Sequence, residues 1–260
     1  MNMPRGTDAQ LVLLADDGAP AADIAWLWLT SHRWAGWDLQ TVTVQQILFP
    51  GGPDLGHSRH VHRQPPAESG FAEWDHVNLE GDPRLVLLAR PDASLIVVGC
   101  HHRGHLAGLL AGSTTEWLLV RPPLPLVIAR HGHRTRSVAI CVDGSPHSQR
   151  ALETFLSLPW SPDVKVSLVS VADGVADVEQ SLSRATAAFP EQAPPATIRL
   201  VGAPKREIPA FVRAHRVDLV VLGTRGLTGL ARLAVGSTVS ALLKSETANL
   251  LVAHVADDSA

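Results

Sequence analysis

The chain has 260 residues, 45% apolar and 18% charged, a composition that supports a packed interior and excludes an intrinsically disordered chain. A formal net charge of −3 without a long basic run excludes a protein held on nucleic acid by phosphate neutralisation. No apolar run reaches the length of a membrane span, the N-terminus lacks the pattern of a secretory signal, and the two cysteines, Cys100 and Cys141, sit in apolar runs like buried thiols; a reducing cytoplasm is the expected location.

In chain order, the first strand is expected at 10–15, running into Asp17-Gly18 and a helix with Pro20 at its head. Further strands are expected at 40–48, 75–79, 94–99 and 124–129. Between the second and third of these, FPGGPDLGHSRHVHRQPPAESG (49–70) carries too much Pro, Gly and Ser for a regular helix and reads as a long surface loop with a short helix at its end. Trp26 and Trp28 on the first helix do not share a face, so one is expected on the sheet and the other at an interface. The polar, basic stretch ARHGHRTRS (129–137) divides the chain into domains expected at 1–131 and 135–260. After it, strands at 137–142, 164–171, 196–201, 217–222 and 249–254 alternate with helices at 146–157, 174–189, 204–215 and 236–246. These strands are near-continuous apolar runs, the mark of a parallel sheet covered on both faces.

The two halves repeat one another. ASLIVVGCHHRGHLAGLLAGSTTEWLL (93–119) lies over VDLVVLGTRGLTGLARLAVGSTVSALL (217–243) without a gap, matching Leu95, Val97, Gly99, Leu106, Ala107, Leu109, Gly112, Ser113, Thr114, Leu118 and Leu119 to identical residues. QLVLLADDGAP (10–20) matches SVAICVDGSPH (137–147) in the same way. The fold class expected is α/β, two tandem doubly wound sheets.

In such a sheet ligands bind beyond the C-terminal strand ends, at the switch point. In the second half Asp143-Gly144-Ser145 ends the first strand and Gly223-Thr224-Arg225-Gly226 the fourth. Gly223 and Gly226 permit close backbone approach to a phosphate, and Gly236-Ser237-Thr238 opens a helix whose first amides favour an anion. Arg225 could add charge, and Asp143 could accept from a ribose or adenine group or help hold a metal. The plain alternative is that these glycines make turns and that the Ser and Thr only cap a helix.

The spacing Gly223-x2-Gly226-x9-Gly236-Ser237, with VDGS at 142–145 and DLVVLGTRG at 218–226, resembles the ATP-binding signature of the universal stress protein family. The resemblance covers the whole chain as two copies. It implies five parallel strands per copy in the order 3-2-1-4-5 (the adenine nucleotide alpha-hydrolase-like fold), pairing of the copies through their fifth strands as a built-in pseudo-dimer, and homodimers in some members. It implies ATP, with or without Mg2+, as cofactor, Asp143 at the nucleoside, Val171 near the adenine, and Gly223, Arg225, Gly226, Gly236, Ser237 and Thr238 at the phosphates. The function implied is that of a nucleotide-dependent stress-response regulator with an unidentified protein partner and no catalytic residue. The first copy keeps Asp17, Gly99, Gly112 and Ser113, but His102 stands where Gly226 does, so its site is expected to be degenerate. The second copy lacks a counterpart of Pro125 before its last strand.

Other readings stay open. His102-Arg103-Gly104-His105 spells the H-x-G-H tetrad of nucleotidyl transferases, although it follows the wrong strand. A slow ATPase would have only Asp143 as a candidate base. An interaction module without nucleotide is the third class. His57, His60 and His62, with His32 and His76 nearby in sequence, have spacings that could bind zinc, against the plainer reading of a solvated polar loop.

Overall fold

A computed structural model describes residues 10–45, 62–90, 92–100, 114–120, 124–224 and 236–255. The N-terminal half contains β1 (Gln10–Ala15), α1 (Pro20–Thr30), β2 (Trp37–Gln45), a 3-10 turn (Ala67–Ser69), β3 (Trp74–Glu80), α2 (Pro83–Leu88), β4 (Leu95–Gly99), α3 (Thr114–Val120) and β5 (Leu126–Ala129). The C-terminal half contains β6 (Ser137–Cys141), α4 (Pro146–Ser157), β7 (Lys165–Ala172), α5 (Val178–Thr186), β8 (Ala196–Val201), α6 (Pro204–His215), β9 (Leu219–Gly223), α7 (Ser237–Ser245) and β10 (Asn249–Ala253).

The strands form one sheet in the order β3-β2-β1-β4-β5-β10-β9-β6-β7-β8. Each half therefore has the order 3-2-1-4-5, and all neighbours within a half run parallel. The halves join where β5 meets β10, antiparallel, with Leu251 opposite Val127. The missing proline before β10 does not prevent this pairing: Ala248 is buried there, and β10 is buried throughout.

Alternation along each strand divides the core between two faces. Leu11, Leu13, Ile96, Val220 and Leu250 face α2, α3, α6 and α7, represented by Leu87, Leu118, Phe211 and Leu242. Val12, Leu14, Val97, Val221 and Leu251 face α1, α4 and α5, represented by Trp28, Leu152 and Leu182. Both faces are covered, which is why the strand sequences read as unbroken apolar runs.

Some element limits differ from the sequence reading. β2 begins at Trp37 rather than 40, because Gln10 pairs with Trp37 at the foot of β1. α5 begins at 178 rather than 174: Asp173 Oδ1 accepts from the amides of Val175 and Ala176, Gly174 is left-handed at φ +87°, and Asp177 caps the helix by accepting from the Gln180 amide. Residues 49–61 of the predicted loop lie outside the described residues; its end carries a short 3-10 helix, Ala67–Ser69, and is only partly at the surface. Arg63, Pro65 and Ser69 are buried, and Phe71 stacks on Trp34 at 5.8 Å. This strap covers the sheet face that α5 covers in the other half, with Phe71 and Phe189 packed against the same core cluster.

Candidate functional site

β6 lies between β7 and β9, so the switch point of the C-terminal half falls at its end. Cys141 pairs with Val169, and Ile140 with Val221. This register brings Asp143, Val171 and Gly223 to nearly the same level on three neighbouring strand ends.

Asp143 folds back on its own turn. Its Oδ1 accepts from the Ser145 amide at 2.9 Å, and Gly144 follows at φ +80°. The turn delivers Ser145 as a buried N-cap of α4, its Oγ accepting from the Ser148 amide at 3.2 Å. Burial and the nearby Asp143 charge push the Cys141 thiol up to about 12, so it is an inert apolar side chain. Val171 is also buried, with its side chain in the core cluster of Cys141 and Leu222.

Gly223 is not left-handed. A Cβ there would lie 2.6 Å from the carbonyl carbon of His147, so the glycine lets α4 press onto β9. Gly99 serves the same purpose in the first half, where a Cβ would lie 2.0 Å from the Ala21 carbonyl oxygen. The sequence reading gave Gly223 to a phosphate; the contact it makes within the chain is with a helix backbone.

Gly236 is the N-cap residue of α7 at φ −54°, ψ 147°, without a capping side chain. Its amide donates to the Thr224 carbonyl at 3.2 Å, tying the head of α7 to the exit of β9. The first intrahelical bond runs from the Ser240 amide to the Gly236 carbonyl, which leaves the amides of Ser237, Thr238 and Val239 ahead of the helical ladder. Ser237 is exposed and Thr238 half-buried. Arg225 and Gly226 lie outside the described residues.

Around this head sits a group that sequence reasoning missed. Thr224 is buried, its amide donates to the Ala253 carbonyl, and its Oγ1 lies 2.9 Å from His254 Nδ1. His254 stacks on His147 at 4.9 Å, and His147 Nδ1 accepts from the Val255 amide at 3.1 Å. The two histidines thus connect the head of α4 with the exits of β9 and β10. They are far apart in sequence, and neither lies in a glycine motif.

The corresponding place in the N-terminal half is built differently. Asp17 is exposed and turns on itself as Asp143 does, its Oδ1 accepting from the Ala19 amide at 3.0 Å. Asp16, however, stands where the second half has Val142 and is buried against Arg63, which contacts both of its carboxylate oxygens. Arg63 also reaches Asp23 on α1 at 2.8 Å and lies over the Trp26 ring at 5.5 Å. Burial pulls the Arg63 pKa down, but the hydrogen bonds and charges of Asp16 and Asp23 outweigh it and the net shift is upward. The Asp16-Asp17 doublet was the available signal, since an extra acid at a buried strand end requires a partner. Gly112, Ser113 and the H-x-G-H tetrad lie outside the described residues.

His32 does not join a zinc cluster. It is buried at the junction of the halves, with its Nδ1 donating to the Trp28 carbonyl at 2.7 Å and its Nε2 accepting from the Thr135 amide at 3.1 Å. His62 lies 6.2 Å from His76, ring to ring, while His57 and His60 are outside the described residues. Among the described residues no three His, Cys, Asp or Glu side chains are grouped to hold a metal, and no helix is long and apolar enough to cross a membrane.

Comparison with known proteins agrees with this architecture. The model of the universal stress protein family matches residues 61–130 and 134–254. A universal stress protein of Mycobacterium tuberculosis (strain H37Rv) is 30% identical, over 97% of this chain and 99% of its own length. Another from the same organism is 24% identical over 68% of this chain and 64% of its own length. Among solved structures, a universal stress protein from Archaeoglobus fulgidus superposes with a TM-score of 0.71 at 15% identity, covering 95% of this chain and 99% of that one. On fold, repeat and match, the chain belongs to the universal stress protein family, a family of stress-response proteins, and carries that fold twice.

Proposed function

We propose that this protein is a nucleotide-responsive regulator that binds ATP, with or without Mg2+, at the strand-end crevice of its C-terminal half, within a domain spanning 135–260. The observation that carries the reading is the bond between the Gly236 amide and the Thr224 carbonyl, which holds the exit of β9 against the head of α7. Bare amides at that head, hydroxyls on Ser237 and Thr238, and Asp143 one strand away are the groups a polyphosphate and a nucleoside require. Arg225, Gly226 and the backbone of Val171 complete the proposed set. The N-terminal half, spanning 1–131, is proposed as the degenerate partner. Asp17 and Gly99 stand at its strand ends, and the neighbouring Asp16 is consumed by Arg63.

The test is isothermal titration of the purified chain with ATP and Mg2+, wild type against Gly236→Val. The native φ and ψ of Gly236 are open to any residue, so the variant should keep the fold while its side chain crowds the anion. Loss of one charge-assisted backbone contact, about 1.5–3 kcal/mol, predicts affinity weaker by about tenfold or more. An absence of ATP binding by the wild type would leave an interaction module without nucleotide as the function.

A further inference from the structure

At the other end of the C-terminal half, a β9-length away (roughly 16 Å), a cavity of about 250 Å³ opens between the last turn of α6 and the linker joining the halves. Arg213 and Arg216 line it from the end of α6, and His131 and His133 from the linker. Thr247 adds a hydroxyl, and the buried Val212 and Val217 add an apolar wall. Arg216 is left-handed at φ 50°, ending the helix so that its side chain and that of Arg213 both reach the cavity.

The charges here are unbalanced. Asp218 is the one carboxylate among the lining residues, and it is already engaged. Its Oδ2 accepts from the Arg136 and Ser137 amides at 2.9 Å each, and its Oδ1 lies 3.2 Å from His133 Nε2. Among the described residues, neither Arg213 nor Arg216 has an ion-pair partner. Arg130, one residue before His131, is buried and is not part of this lining. One Nη2 proton goes to the Leu243 carbonyl at 2.6 Å, while among the described residues Nε and Nη1 have no partner. The negative end of the α6 dipole accounts for basic residues in its last turn. It does not account for a cavity whose second wall comes from the linker.

We propose that this cavity binds a small organic dianion, a phosphate monoester or a short dicarboxylate. The two guanidinium groups take the charged end by paired N–H donors, and the valines take the carbon skeleton. The volume corresponds to about eight water molecules at liquid density, enough for a small metabolite. The site is independent of the nucleotide crevice. Because its walls belong to the end of α6, the segment leading into β9, the turn before β10 and the linker, its occupant braces the junction between the halves.

The experiment is an amide chemical-shift titration of the full chain at constant ionic strength. Glycerol phosphate and succinate are the probes, and sodium chloride is the control. Saturable shifts at Val212, Val217 and Thr247 are expected, unaffected by excess ATP and weakened at least about tenfold in the Arg213→Gln/Arg216→Gln variant. Both arginines are exposed, so the variant should fold, and an unchanged melting temperature verifies it. Saturation by glycerol phosphate alone assigns a phosphate monoester; saturation by succinate alone assigns a dicarboxylate. Shifts that rise linearly as with chloride, or that persist in the double variant, overturn the proposal.

Discussion

His32 shows how one side chain can make a domain junction sensitive to acid. Burial pulls its pKa down from 6.5 to about 4, against the raising effect of its bond to the Trp28 carbonyl, with the charges of Arg134 and His133 lowering it further. The folded chain therefore keeps the ring neutral, with Nε2 free to accept from the Thr135 amide. Below pH 6.5 the unfolded chain takes up a proton that the folded chain does not, so stability falls as pH is lowered from 6.5 towards 4 and then levels off. The full span corresponds to about 3 kcal/mol. Urea unfolding of wild type and His32→Gln at about pH 7.5 and about pH 4.5 should show the extra acid loss in the wild type only. An equal loss in both proteins would place the sensitivity elsewhere. The zinc reading of the histidines failed at this residue because spacing along the chain cannot show that His32 is turned into the junction.

At the scale of elements, the strap at 62–72 does the work of a helix, and the Arg63 latch shows how it is held. Asp16 and Arg63 are both nearly inaccessible, at 2% and 5% side-chain exposure. Removing one partner of such a pair leaves a buried charge, at a cost of about 3–5 kcal/mol. Arg63→Leu should therefore lower unfolding stability by about that amount in chemical denaturation. The pair Asp16→Val/Arg63→Leu, which introduces the valine found at the equivalent place in the second half, should recover most of it. If the double variant is no more stable than the single, the latch is not what fixes the strap. Over its described part, 62–70, the loop read from its Pro and Gly content forms no regular α-helix. The packing was not legible in the sequence because the side chains that face inward, Arg63, Pro65, Ser69 and Phe71, are chemically mixed and do not form an apolar pattern.

For the whole molecule, the seam between β5 and β10 makes two domains into one sheet. Asn249 fastens it. Entirely buried, its Oδ1 accepts from the amides of Arg130 at 2.7 Å and His131 at 2.9 Å, and its Nδ2 donates to the His131 carbonyl at 3.1 Å. Trp28 Nε1 donates to Thr135 Oγ1 on the other side of the linker, so this tryptophan serves both the core and the interface, while Trp26 supports Arg63. Asn249→Leu strands two amides and a carbonyl, each costing about 1–3 kcal/mol if left unsatisfied. Calorimetry should show a lower melting temperature and the wild-type transition splitting towards two, one for each half. A single transition at the wild-type temperature would show that strand pairing alone holds the seam.

The amino-acid sequence by itself determined the duplication, the class of sheet and, through a family resemblance, the strand order; it also named the strand ends proposed as the crevice. Those features depend on local patterns: unbroken apolar strands, Asp-Gly turns, and glycines at fixed spacing. Tertiary structure decided the rest. The missing Cβ of Gly223 makes room for the backbone of α4, a role its spacing in the motif does not show. The stacking of His147 on His254, the Arg63 latch, the Asn249 fastener and the cationic cavity at the seam each join residues from distant parts of the chain. Such contacts arise only when strand order and helix placement bring the groups together, because the chemistry of a buried charge or an unpaired donor is set by what surrounds it in space.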